Sequence, residues 1–151
     1  MNMRGASFAA WILVAAVTGA VAQSQAPKLK WTWDDRLEAV NAAPSIHKVL
    51  FENDHIRLLE VTIHAQEKEP MHGHKYPSVF AFDAPQPDMD NELLDHTTQH
   101  VGRSLMDADF PSCRTMGIQA PHSVKITDTF QQHFYRLEFK QIDGLGILKK
   151  P

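Results

Sequence analysis

The chain has 151 residues, 43% of them hydrophobic and 22% charged, with a formal net charge of −3 at pH 7. That weak acidity argues against nucleic acid or an anionic lipid surface as a partner. A single cysteine rules out an internal disulfide framework, so stability has to come from a packed core.

The first 22 residues read as a secretory leader. Arg4 supplies a basic start, residues 8–17 are apolar, and Ala20-Val21-Ala22 offers the small-x-small pattern of a signal peptidase site, with the cut after Ala22. The apolar run is shorter than the roughly 20 residues that cross a bilayer, which favours cleavage over anchoring. Charged residues interrupt every later apolar stretch. The expectation is therefore a secreted or periplasmic protein with no membrane segment after processing. What remains is enough chain for one domain.

Residues 23–45 form an N-terminal extension: a polar lead-in, then Trp31 and Trp33, then a short helix. The helix is signalled by acids in a first turn at Asp34 and Asp35, by Leu37 and Val40 three apart, and by Pro44 beyond. The two tryptophans are expected to pack the helix on the main body. Residues 46–141 change texture, to short alternating or β-branched segments separated by turn residues, and 142–151 form a tail. Strands are predicted at 47–51 and 56–63, joined in a hairpin with Leu59, Val61 and Ile63 on one face. A strand over 72–82 precedes a long loop at 83–91. Further strands are placed at 93–98, 102–106, 114–118, 122–126 and 132–140. In the last of these, Tyr135, Leu137 and Phe139 alternate against Arg136, Glu138 and Lys140, the pattern of a half-buried strand. Many short strands with no repeated helices indicate an all-β antiparallel sandwich or barrel.

The chemistry is carried by Met71-His72-Gly73-His74. Side chains alternate along a strand, so His72 and His74 project to one side and can share an ion. The same parity brings Tyr76, Ser78, Phe80 and Phe82 to that side, as candidate ligand-pocket residues running from a polar mouth to an aromatic floor. Cys113 reads as a small buried apolar group. His47, His55, His64, His96, His100 and His133 have no ligand spacing tied to the pair, and are expected at the surface or in structural roles. The acidic run Asp88, Asp90, Glu92 and Asp95 lacks the glycine and terminal glutamate of a calcium loop and reads as solvated.

Residues 48–140 resemble the cupin superfamily. Residues 49–61 look like the opening hairpin of small one-domain cupins, Glu69-Pro70-Met71-His72-Gly73-His74 resembles the start of the first cupin motif, and Ala120-Pro121-His122-Ser123-Val124 resembles the second. The closing strand 133–140 has the form that follows them. The resemblance implies a jelly-roll barrel in which His72, His74 and His122 bind one divalent metal. Three histidines do not choose among Fe, Mn, Ni, Zn and Cu. The departures are specific. The glutamate expected four or five residues after the second histidine is Ser78 or Val79, and the glycine six residues before the first is Gln66. In the second motif Gly117 and Gln119 replace the usual proline and glycine, and Ile126 replaces the usual asparagine. Glu60 and Glu138 lie on strands from which either could supply the missing carboxylate.

These features frame the functional expectation. An exported small cupin would bind a divalent metal and a small-molecule ligand, with oxygenase, isomerase or lyase chemistry in view and no catalytic residue identified. A non-catalytic binding module with an empty or vestigial metal site, and a structural homo-oligomer, are the competing classes. Homodimer pairing through sheet edges follows from the resemblance alone.

Overall fold

The structure, a computed structural model, describes residues 30–142. The leader, its cleavage site and most of the tail lie outside the described residues. Nine strands are present among them: β1 His47–Glu52, β2 Ile56–Ile63, β3 His72–His74, β4 Ser78–Phe82, β5 Met89–Leu93, β6 Thr98–Val101, β7 Ser112–Met116, β8 Gln119–Ile126 and β9 Gln132–Phe139.

They pair antiparallel into two sheets, in the orders β1-β2-β9-β4-β7 and β3-β8-β5-β6. The pairs β2 with β9, β3 with β8, β4 with β7 and β5 with β6 are nested, as in one long hairpin wound into a barrel. That is the jelly roll, here with β1 added to the edge of one sheet. The core between the sheets is built from Leu59, Val61, Ile63, Phe80, Phe82, Met89, Ile126 and Phe134, with Ala43 and Ile46 closing one end.

On β2 the inward face carries Leu59, Val61 and Ile63 as the alternation indicates, and Arg57 continues the same buried column. On β9 the outcome is the reverse of the apolar pattern: Gln132, Phe134, Arg136 and Glu138 point inward, while Tyr135, Leu137 and Phe139 lie half-buried on the outside. Charges occupy the inner column because each finds an opposite charge or a polar ring there, which is what makes a buried ion tolerable.

The predicted strand 72–82 is two strands in different sheets. Lys75, Tyr76 and Pro77 make the crossing, and Pro77 has no N–H to give to a ladder. The predicted strand 93–98 coincides with a turn: β5 and β6 flank it, and His96 takes a left-handed φ of 64°. Residues 102–106 contribute only a bridge from Ser104 to Gln86. The remaining predicted strands are present with ends shifted by a few residues.

The single helix expected in the extension is a 3-10 turn, Asp35–Leu37, followed by one α-helical turn, Ala39–Ala42. Between them Glu38 is extended and forms a parallel bridge with Gly73. Its buried carboxylate is drawn to Arg57, which interrupts the helix. Trp31 lies against Gly73, so the extension straps β3 as the tryptophans suggested. Cys113 is exposed on β7, contrary to the buried placement expected, because β7 is an edge strand whose residues are mostly open to solvent.

Candidate metal centre

Four histidines meet at one end of the barrel. His72 and His74 stand on β3, and the β3–β8 register puts His122 directly opposite His72. His47 opens β1 opposite Val61, an inward residue of β2. Ring centroids are 4.5 Å apart for His47–His72, 5.1 Å for His47–His74 and for His72–His74, 4.8 Å for His72–His122 and 6.0 Å for His74–His122. His47, His72 and His74 can each offer a ligand atom within 4.8 Å of the others, and so can Glu69, His72 and His122. Gly73 allows this approach: a Cβ there would sit 2.8 Å from the Gln119 carbonyl oxygen and 2.9 Å from the Trp31 ring.

Hydrogen bonds orient the rings. His72 Nδ1 lies 3.0 Å from the Pro70 carbonyl and His122 Nδ1 lies 2.8 Å from the Ala120 carbonyl. A carbonyl only accepts, so both Nδ1 atoms carry the proton and both Nε2 atoms keep a lone pair. His74 Nδ1 is 3.3 Å from Glu138 Oε1, the carboxylate–imidazole pairing that orients ligating histidines. His47 Nδ1 is buried and finds no hydrogen-bond partner among the described residues, and neither does Glu69 Oε2.

Burial holds all four rings in the neutral form that a metal requires, and the Arg136 guanidinium reinforces it; His47 is brought down to about 3. Glu69 is pushed up to about 8 by burial, against the pull of a hydrogen bond from the Val124 amide. Behind the rings runs a buried chain of ions. Arg57 Nη2 lies 2.5 Å from Glu38 and 2.6 Å from Glu138, and Lys75 lies 3.0 Å from Glu38. Burial raises the Glu138 pKa, while Arg136 and Arg57 oppose the rise.

These groups surround a cavity of about 160 Å³ with an apolar wall that includes Val61, Ile63, Phe80, Met89 and Phe134. The three sequence-predicted histidines all line it. Of the expected pocket residues only Phe80 does. Phe82 packs in the core beside Phe134, and Ser78 is buried away from the cavity. Tyr76 lies on the crossing segment against Arg57 and Lys75. Their displacement follows from the break at Pro77, which moves the chain to the other sheet. Of the two carboxylates considered, Glu138 is buried at the site, while Glu60 faces outward to Lys48 and His133. His47, expected at the surface or in a structural role, is instead buried in the cavity wall, because it pairs with the inward residue Val61; Arg136 was not singled out by the sequence, and Glu69 only as part of the first-motif resemblance. The other histidines face away: His96 pairs with Glu92, His100 with Asp90 and His133 with Asp83.

No protein-family model matches the sequence, and comparison with curated proteins finds no match. Solved structures are similar. A cupin domain from Bordetella pertussis Tohama I shares 16% identity over 63% of this chain and 92% of its own, with a TM-score of 0.49. An RmlC-like cupin from Methanocaldococcus jannaschii, described as a double-stranded β-helix, shares 10% over 62% and 78%, at 0.44. The polyketide cyclase RemF from Streptomyces resistomycificus shares 17% over 62% and 63%, at 0.41. The nested strand order already described is that of a jelly roll. Similarity at this level selects no reaction. The chain could hold a metal on its buried histidines, and no helix among its described residues is long and apolar enough to cross a membrane.

Proposed function

We propose that this chain is a cupin that binds one divalent transition metal in the barrel cavity through His72, His74 and His122, with His47 as the fourth imidazole in place of the family's glutamate. The observation that carries the reading is the convergence of these four neutral rings from β1, β3 and β8, three of them with Nδ1 engaged and Nε2 left as a lone pair.

A metal held only by neutral ligands keeps its full charge and supplies Lewis acidity toward a bound small molecule. The protein orients the rings through Pro70, Ala120 and Glu138, and the apolar wall excludes water from one side of the ligand. Cavity size limits the ligand: about 160 Å³ is close to the roughly 150 Å³ void that accommodates benzene. Metal-dependent oxygenation, isomerisation or lyase chemistry on a small organic molecule all fit such a site. Export is proposed on the leader alone, and a mature N-terminus at Gln23 would test it.

The decisive experiment is elemental analysis of untagged protein after reconstitution with first-row metals. The expected result is about one metal per chain, abolished by His72→Ala and by His122→Ala and retained by His96→Ala. No uptake, or equal loss in all three variants, would refute the assignment. Oxygen consumption and turnover assays on the loaded protein then separate an enzyme from a binding module.

A further inference from the structure

We propose that the ligand of this cavity is a small carboxylate, seated on the guanidinium of Arg136 with its hydrocarbon part against the apolar wall. The inference rests on reading the cavity as a small-molecule site, and it does not depend on the metal.

Arg136 stands in the middle of β9 on the inward face, is only 1% exposed, and lines the cavity. Its hydrogen bonding is incomplete. Nη1 donates to Gln119 Oε1 at 2.5 Å, while Nη2 finds no partner among the described residues. Nε lies 3.2 Å from Glu138 Oε1, in an ion pair. Nor is Glu138 available to this cation alone, because Oε2 accepts from Arg57 at 2.7 Å and Oε1 faces His74. The guanidinium also sits 4.7 Å from the centroid of the Phe80 ring, which presents a flat apolar surface next to the charge.

A buried guanidinium with a shared counter-ion and an idle Nη2 is poorly compensated, and a planar carboxylate matches the Nη1–Nη2 fork in both charge and geometry. Gln119 Oε1 occupies the place of one carboxylate oxygen. It belongs to a half-buried side chain that also lines the cavity, so an entering anion can displace it. A neutral ligand gains nothing from Arg136 that the Gln119 amide does not already provide. The class that fits is a monocarboxylate with a compact apolar body, up to about the size of benzoate.

The test uses untagged full-length mature protein, metal-free and zinc-loaded in parallel, with benzoate and its neutral isostere benzamide as probes in calorimetry and thermal shift. Wild type is expected to bind benzoate at least roughly tenfold more tightly than benzamide. Arg136→Gln should abolish that preference and Arg136→Lys should keep part of it. Equal affinity for the two probes, absence of benzoate binding in both preparations, or an intact preference in Arg136→Gln would overturn the proposal. Should Arg136→Gln fail to fold, Gln119→Ala decides: it removes the competing amide and must tighten benzoate binding, and unchanged or weaker binding would overturn the idea. Intact benzoate selectivity in a protein that takes up no metal would refute only the metal assignment.

Discussion

Replacing Glu138 by glutamine separates the charge of this side chain from its shape. Glu138 is 0% exposed and serves three partners: Arg57 at 2.6 Å, Arg136 at 3.2 Å and His74 at 3.3 Å. The amide keeps the volume but turns an NH2 toward one guanidinium, and leaves Arg57 dependent on Glu38 and Arg136 without a counter-ion. A well-packed apolar substitute for a whole buried ion pair can be nearly neutral, whereas breaking one costs about 3–5 kcal/mol because the remaining charge stays buried. That is a large share of the roughly 5–15 kcal/mol that holds a domain of this size. Urea denaturation followed by the fluorescence of Trp31 and Trp33 should show the loss, accompanied by a fall in Tm of roughly 10–20 °C. Glu60→Gln is the control. Its pair with Lys48 is solvent-exposed, and the change should stay within about 0.5 kcal/mol. If Glu138→Gln still folds, zinc affinity should also drop by roughly 10–100-fold through the misoriented His74 ring. A stability loss under about 1 kcal/mol would mean that the ion chain does not hold this end of the barrel together.

Three further outcomes are expected. Gly73→Ala forces a methyl against the Gln119 carbonyl and Trp31, so it should cost about 1–3 kcal/mol in chemical denaturation and weaken metal uptake; an unchanged midpoint would show that β3 and its strap yield freely. Metal-free protein should lose stability in acid. His47 has a folded pKa of about 3 against an unfolded value of 6.5, so its contribution is present above pH 6.5 and is lost as the pH falls toward 3, with the other three rings acting in the same direction; denaturation midpoints flat from pH 7 to 4 would contradict this. Glu69 acts oppositely. Raised to about 8, its contribution is present below pH 4.5 and is lost as the pH rises through 8, so Glu69→Gln should flatten the alkaline side of the same profile, and a slope equal to wild type would remove Glu69 from the buried site.

The barrel was legible because its apolar columns obey a period of two where the inner face is hydrocarbon. Leu59, Val61 and Ile63 on β2, and Phe80 and Phe82 on β4, declare their side without help. His72 and His74 were legible for the same reason, being one period apart on a strand. The β5–β6 hairpin was not. Only Met89 of its nine strand residues is buried, the rest of β5 is half-exposed and β6 is exposed throughout, so alternation carries no signal and the turn at His96 was read as strand.

The rest of the site was hidden by the kind of contact that builds it. His47 and Arg136 have no local spacing that links them to the His-x-His pair; their proximity comes from β1 pairing with β2 and from β9 inserting between β2 and β4. One clue was available. Arg57 lies two residues before Leu59 on the column already assigned to the interior, so a buried cation was implied, and a buried cation requires buried acids. The acids are Glu38, in the extension, and Glu138, in the strand that pairs with β2. Placing Glu138 inside fixes the parity of β9, and with it places Arg136 inside as well. The apolar alternation of Tyr135, Leu137 and Phe139 points the other way, and the parity of Glu138 stayed open in the sequence, because hydrophobicity alone cannot distinguish an outer face that is half-covered from an inner face whose charges neutralise one another. Where a jelly roll keeps ions in its interior, charge balance between neighbouring strands is therefore the better guide to which side of a strand faces the site.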